Sequence, residues 1–175
     1  MTQIVICPGI HSPQLTDSFV AKIGKELLNN CLIFPTSEYP AYSIYDIYQW
    51  LKIFQGKPST SPPLIFITFS AGVVGGIGAA LAWHQQGGQI KKFMALDGWG
   101  VPLIANFPIY RLSHDRFTHW SSAILGGGNQ GFYCDPSVEH LTLWRSPDAC
   151  WGWRTINSRK ATPCSAAQYI QGLLT

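Results

Sequence analysis

The sequence predicts a three-layer α/β sandwich, in which a mostly parallel sheet of about six strands carries helices on both faces, as a single domain over residues 1–175. Three observations predict it. Short β-branched runs alternate with amphipathic helical stretches, the rhythm of βαβ units. No short Asn-Gly or Asp-Gly hairpin joins two strand runs. The 175 residues, 46% apolar and 12% charged, suffice for one well-buried core and are too few for two ordinary domains.

Gln3 to Cys7 reads as a buried strand, being short, β-branched and followed by Pro8-Gly9. Phe19, Ile23 and Leu27 recur every four residues, with Val20 and Leu28 beside them; the spacing predicts a helix starting near Thr16-Asp17. Cys31 to Phe34 is a second strand, stopped by Pro35. Ser43 opens a second helix with Asp46 as a partial capping box, and Gly56 and Pro58 end it. Leu64 to Thr68 is the third strand, and a helix follows from Gly72 to Gln86. Phe93 to Leu96 and Ile109 to Ser113 are the fourth and fifth strands, with a short helix from Arg116 to Leu125. His140 to Trp144 reads as a sixth strand, and Thr162-Pro163 opens a final helix to Leu174. Gly98–Pro108 and Gly126–Ser137 read as irregular.

The net charge of +3 is mild and its basic residues are scattered, which argues against a nucleic-acid partner. Five dispersed cysteines contain no C-x-x-C pair, so the expectation is reduced thiols in a cytoplasmic protein without a metal. The first strand begins almost at Met1, leaving no room for a signal peptide. No apolar run reaches the ~18 residues of a membrane span. Nothing in the sequence fixes the oligomeric state.

In an open parallel sheet, chemistry gathers at the carboxyl ends of strands. There, "LIFITFSAGVVGG" drives a buried strand straight into Ser70 and a glycine-rich helix start. A sharp strand-to-helix turn lifts the turn residue's side chain above the sheet and demands small flanking residues; Gly72 satisfies this and Thr68 tolerates it. The helix start offers the Ala71 amide to an anion. Ser70 is therefore either a nucleophile or a helix cap. A third reading takes Gly72–Gly78 with Asp97 as a dinucleotide fingerprint. It fails because two strand–helix units precede the glycines. The Tyr48-x-x-x-Lys52 pair, which imitates a short-chain dehydrogenase, also precedes them and reads as a helix face.

Taken in order, the motifs resemble those of small α/β-hydrolases, the minimal bacterial lipases and esterases and serine-hydrolase-like proteins. "IVICPGI" is similar to their first strand and oxyanion loop, and "ITFSAG" to the nucleophile elbow without its first glycine. "IYRLSHDRFTHW" resembles the penultimate strand and acid-bearing turn, and "HLTLWRSPD" the last strand. The resemblance implies a cofactor-free serine hydrolase acting on an ester or thioester of an apolar acyl group. Ser70 is then the nucleophile, with oxyanion donors at Ala71 and at Ile10 or His11. It makes Asp115 the direct match for the acid. One departure stands out: where the family places its last-loop Gly-His, this chain reads Ser146-Pro147-Asp148, and no histidine follows His140. The alternative is accordingly a catalytically inactive binding or scaffold protein on the same fold.

The base must then come from elsewhere. His114 ends the fifth strand at the correct edge and is preferred, with His119 as the alternate. His84 reads as a surface residue, and His140 as a strand-end residue at the opposite edge. For the acid, Asp97 ends the strand beside the elbow, where some lipases carry theirs; Asp115 and Asp148 are alternates. The apolar stretch "GWGVPLIANFPIY" and the tryptophans near the expected cleft favour an acyl or aryl substrate over a sugar phosphate.

Overall fold

A computed structural model describes residues 1–26, 29, 31–127, 129–157 and 159–175. In chain order the elements are β1 (Gln3–Cys7), α1 (Pro13–Ile23), β2 (Leu32–Ile33), α2 (Ile44–Gln55), β3 (Leu64–Phe69), α3 (Ala71–Gln85), β4 (Ile90–Leu96) and β5 (Ile109–Ser113). They continue with α4 (Arg116–Ala123), β6 (Gln130–Cys134), α5 (His140–Arg145), β7 (Trp151–Ile156), β8 (Arg159–Ser165) and α6 (Ala166–Leu174). The fold is α/β, with one sheet ordered β2-β1-β3-β4-β5-β6-β7-β8.

The first six strands run parallel, and β7 and β8 add an antiparallel edge. Sandwiched strands must be apolar on both sides, and β3 is buried at every position. The pleat divides its side chains between two cores. Ile65, Ile67 and Phe69 join Ile6, Met94 and Leu96 beneath α1, α5 and α6. Leu64 and Phe66 join Val5, Phe93 and Ala95 beneath α2 and α3.

The expected sheet of about six strands is corrected to eight, mixed rather than nearly all parallel. The antiparallel pair was missed because β8 contains Pro163, read as a helix start. As the sheet's edge strand β8 tolerates a residue without an N–H, and α6 starts only at Ala166, closed by a reciprocal Ser165–Gln168 capping box. β6 falls in a stretch expected to be irregular. The expected sixth strand at His140–Trp144 is instead helix α5. Helix α1 starts earlier than expected, with Pro13 in its first turn, and ends at Gly24, whose φ of 112° no β-carbon residue adopts readily. Leu27 and Leu28, assigned to that helix by spacing, lie outside the described residues. Among the described residues no helix is long and apolar enough to cross a membrane. The five cysteines are free thiols.

Strand order reverses direction between β1 and β3, since β2 lies outward of β1 while β4 to β6 follow β3. A crevice at the carboxyl ends of strands flanking such a point is the expected ligand position. Pro8-Gly9 and Ser70 sit there.

Candidate active site

Ser70 occupies the bend between β3 and α3 with φ 53° and ψ −122°, a left-handed conformation that a β-carbon residue adopts only under constraint. Three contacts supply that constraint. The Ser70 N–H donates to the Leu96 carbonyl at 3.0 Å. A β-carbon on Gly72 would lie 2.2 Å from the Cys7 oxygen and 2.4 Å from that of Pro8, so α3 approaches β1 closely only because residue 72 is glycine. A β-carbon on Gly9 would lie 2.9 Å from the Ser70 β-carbon, which sets the Gly9–His11 loop directly beside the serine. The Ser70 side chain makes no capping bond to α3.

The Ser70 hydroxyl instead donates to Nε2 of His140 at 3.1 Å. Nδ1 of the same ring donates to Oδ2 of Asp97 at 2.8 Å. Asp97 follows β4 with φ 51°, a conformation Asp tolerates better than most residues, and is only 6% exposed. Its N–H is fixed by the Leu112 carbonyl at 2.8 Å. Burial pushes its carboxyl upward, but the hydrogen bonds from His114 and His140 and the His114 charge outweigh this, so it titrates below the usual range.

His140 is seated by aromatic stacking. Its ring lies on Phe69 at 4.7 Å between centroids, Phe69 on Trp144 at 5.0 Å, and Trp144 on Phe19 at 3.9 Å. Trp144 follows His140 by four residues on α5, so both project to one side of the helix. Its indole N–H donates to the Thr16 hydroxyl at 3.1 Å, tying α5 to α1.

His114, the base preferred from sequence, reaches Asp97 from another direction. Its Nδ1 donates to Oδ2 at 2.9 Å and its backbone N–H to Oδ1 at 2.8 Å. The Asp97 bond, partly offset by burial and helped by the Asp97, Asp115 and Glu139 charges, raises its pKa. His119 is buried, with Nε2 3.4 Å from the Thr155 hydroxyl on β7, and packs against Trp120 and Tyr133. Burial and the Arg111 charge push it down to about 4. Asp115 caps α4, accepting from the Thr118 N–H at 2.6 Å. Asp148 pairs with Lys22 at the surface at 2.9 Å and does not join His114. The geometry thus brings together Ser70, Asp97 and His114 among the expected residues and adds His140.

Of the residues expected to donate to an oxyanion, Ala71 is the first residue of α3, where helix N–H groups lack intrahelical acceptors. Ile10 is exposed. His11 donates from Nδ1 to the Ser12 carbonyl at 2.9 Å and packs on Phe69 and Trp144, which steadies the loop.

A cleft of about 380 Å³ opens from Ser70 between Val74, Trp99, Val101 and Thr118. Arg111 fixes its far wall. This buried guanidinium on β5 donates to the carbonyls of Gly98, Val101 and Gly126 at 3.2, 2.7 and 2.6 Å, and burial lowers its pKa to about 10. A lone Arg inside the apolar run "IYRLS" was the sequence signal for such a clamp, and sequence reasoning passed over it. Of the tryptophans, Trp99 lines this cleft, its indole N–H donating to the Ser121 hydroxyl at 3.3 Å. No protein-family model matches this chain, and no curated protein is significantly similar to it.

Proposed function

We propose that the chain is an α/β-hydrolase-like serine hydrolase that cleaves an ester or thioester of a modest apolar acyl group. Ser70 is the nucleophile, His140 the base, and Asp97 the acid. The observation that carries the reading is the unbroken series of hydrogen bonds from Ser70 Oγ to His140 to Asp97, at a strained bend on the carboxyl edge of the sheet.

In this mechanism Ser70 Oγ attacks the carbonyl carbon while its proton passes to His140 Nε2. The Asp97 carboxylate stabilises the imidazolium through Nδ1–H and keeps the ring in the correct tautomer. The negative charge on the carbonyl oxygen falls beside the start of α3, where the Ala71 amide and one from Ile10 or His11 receive it. The imidazolium then protonates the leaving alcohol or thiol. Water, deprotonated by the same ring, releases the acid. The acyl group lies along Val74, Trp99 and Val101, a surface that welcomes hydrocarbon.

The test is covalent labelling with a fluorophosphonate. The reading expects one adduct, on Ser70, absent from Ser70→Ala. A folded protein that takes no label is the binding protein of the alternative reading.

A further inference from the structure

A serine–histidine–acid series needs one imidazole on the acid, and Asp97 has two. Oδ2 accepts from Nδ1 of His140 at 2.8 Å and from Nδ1 of His114 at 2.9 Å. One ligand atom from each of the three residues lies within 4.8 Å of the others. We propose that Asp97, His114 and His140 form a binding site for a divalent transition-metal ion, Zn²⁺ foremost, and that its occupancy turns the Ser70 site off. The metal site stands on this geometry alone; the switch rests on the hydrolase reading.

The donor set suits the ion. Two imidazole nitrogens and one carboxylate oxygen are borderline ligands of the kind Zn²⁺ takes in sites that keep a fourth position for water. Zinc bond lengths of about 2.0–2.2 Å put tetrahedral ligand atoms roughly 3.3 Å apart. The two Nδ1–Oδ2 separations need widen by only about 0.5 Å to reach that. The imidazoles can give way, since their side chains are 26% and 42% exposed, whereas the carboxylate is 2% exposed.

The outer partners also fit. Metal-bound imidazoles characteristically place their second ring nitrogen on another hydrogen-bonding group, often a carboxylate. His114 Nε2 lies 3.3 Å from Oδ2 of Asp115. His140 Nε2 lies 3.1 Å from Ser70 Oγ. Asp97 is oriented independently by the His114 N–H on Oδ1. A purely hydrolytic site gives the Asp115–His114 pair no task.

The consequence for Ser70 follows from proton bookkeeping on one ring. Neutral His140 carries a single proton, held at Nδ1 toward Asp97 while Nε2 accepts from serine. A metal on Nδ1 moves that proton to Nε2. The nitrogen facing Ser70 then donates, and cannot take the serine proton. The Nδ1–H bond breaks and an Nε2–H bond forms by proton exchange with water as the ion coordinates, and removal of the ion reverses both and restores the acceptor.

Titration of the wild-type protein with ZnCl₂ by calorimetry, with no acyl substrate present, tests the site without reference to catalysis. One ion per chain is expected, with binding weakened at least about 10-fold by His114→Ala or His140→Ala, the lower bound being what loss of an outer partner alone costs. Co²⁺ in place of Zn²⁺ gives visible d–d absorption from nitrogen and oxygen ligands and needs no variant. In wild-type protein, Zn²⁺ slows fluorophosphonate labelling and EDTA restores it. Absence of binding, or binding undiminished by loss of His114, overturns the site. Metal binding without any labelling of the metal-free protein overturns the hydrolase reading and leaves the site standing. Labelling that Zn²⁺ leaves untouched, despite binding, overturns the switch.

Discussion

Replacing Ser70 by glycine and by alanine should invert the usual order of those two residues. In ordinary backbone glycine is the worse choice by about 0.5–1 kcal/mol, because its unfolded chain has more freedom to lose. At φ 53° and ψ −122° the β-carbon itself is the burden, and holding a non-glycine residue in such a region costs on the order of 1–3 kcal/mol. Both variants lose the hydroxyl and its bond to His140, so that term cancels between them. The difference leaves Ser70→Gly more stable than Ser70→Ala by about 1 kcal/mol, or roughly 2–4 °C in Tm for a chain of this size. Urea unfolding followed by circular dichroism, with calorimetric Tm as a check, reads it directly. An alanine variant as stable as the glycine variant, or more so, would show that the bend is unstrained and that the elbow argument fails.

Three further outcomes follow from particular contacts. Trp144→Ala removes a fully buried ring stacked on Phe19 and Phe69, and should cost about 3–5 kcal/mol in urea unfolding. Trp144→Phe keeps much of the stack but strands the Thr16 hydroxyl, costing about 1–3 kcal/mol; a cost near zero for the alanine variant contradicts the stacking account of His140. Gly72→Ala drives a methyl into the Cys7 and Pro8 carbonyls, so it should destabilise by at least about 1–3 kcal/mol and slow Ser70 labelling, measured per folded molecule. His119 is held neutral, with its pKa down at about 4 against 6.5 in the unfolded chain. Its contribution is complete above pH 6.5 and is lost as pH falls through about 4, by about 3 kcal/mol at 1.36 kcal/mol per unit. Comparing urea midpoints of wild type and His119→Gln between pH 7 and pH 4 isolates that loss, and parallel profiles would refute it.

Local chemistry made much of this fold readable. β1 and β3 are dense β-branched or aromatic runs, β4 ends on the apolar run Phe93–Leu96, each has a sharp stop, and Ser43 caps α2 through the Asp46 N–H as its sequence foretold. Ser70 and Asp97 were legible because each follows such a strand at the sheet's carboxyl edge. His140 was not. "HLTLWR" alternates apolar and polar residues like a strand, and its helical state depends on Trp144 finding Phe19 and Phe69, partners distant in sequence. With α5 misread as a strand, its histidine fell at the wrong edge. The β7–β8 pair failed for a related reason: Pro163 is acceptable because β8 is the last strand in the sheet order, a property that local sequence does not carry.

In the proposed mechanism His140, not His114, takes the serine proton. The direct measurement is the rate of fluorophosphonate labelling of Ser70 in His140→Ala and in wild type, each verified as folded by circular dichroism. A fall of about 10²–10⁴ in His140→Ala is predicted, the range that loss of a general base produces. Labelling of His140→Ala at the wild-type rate would contradict it.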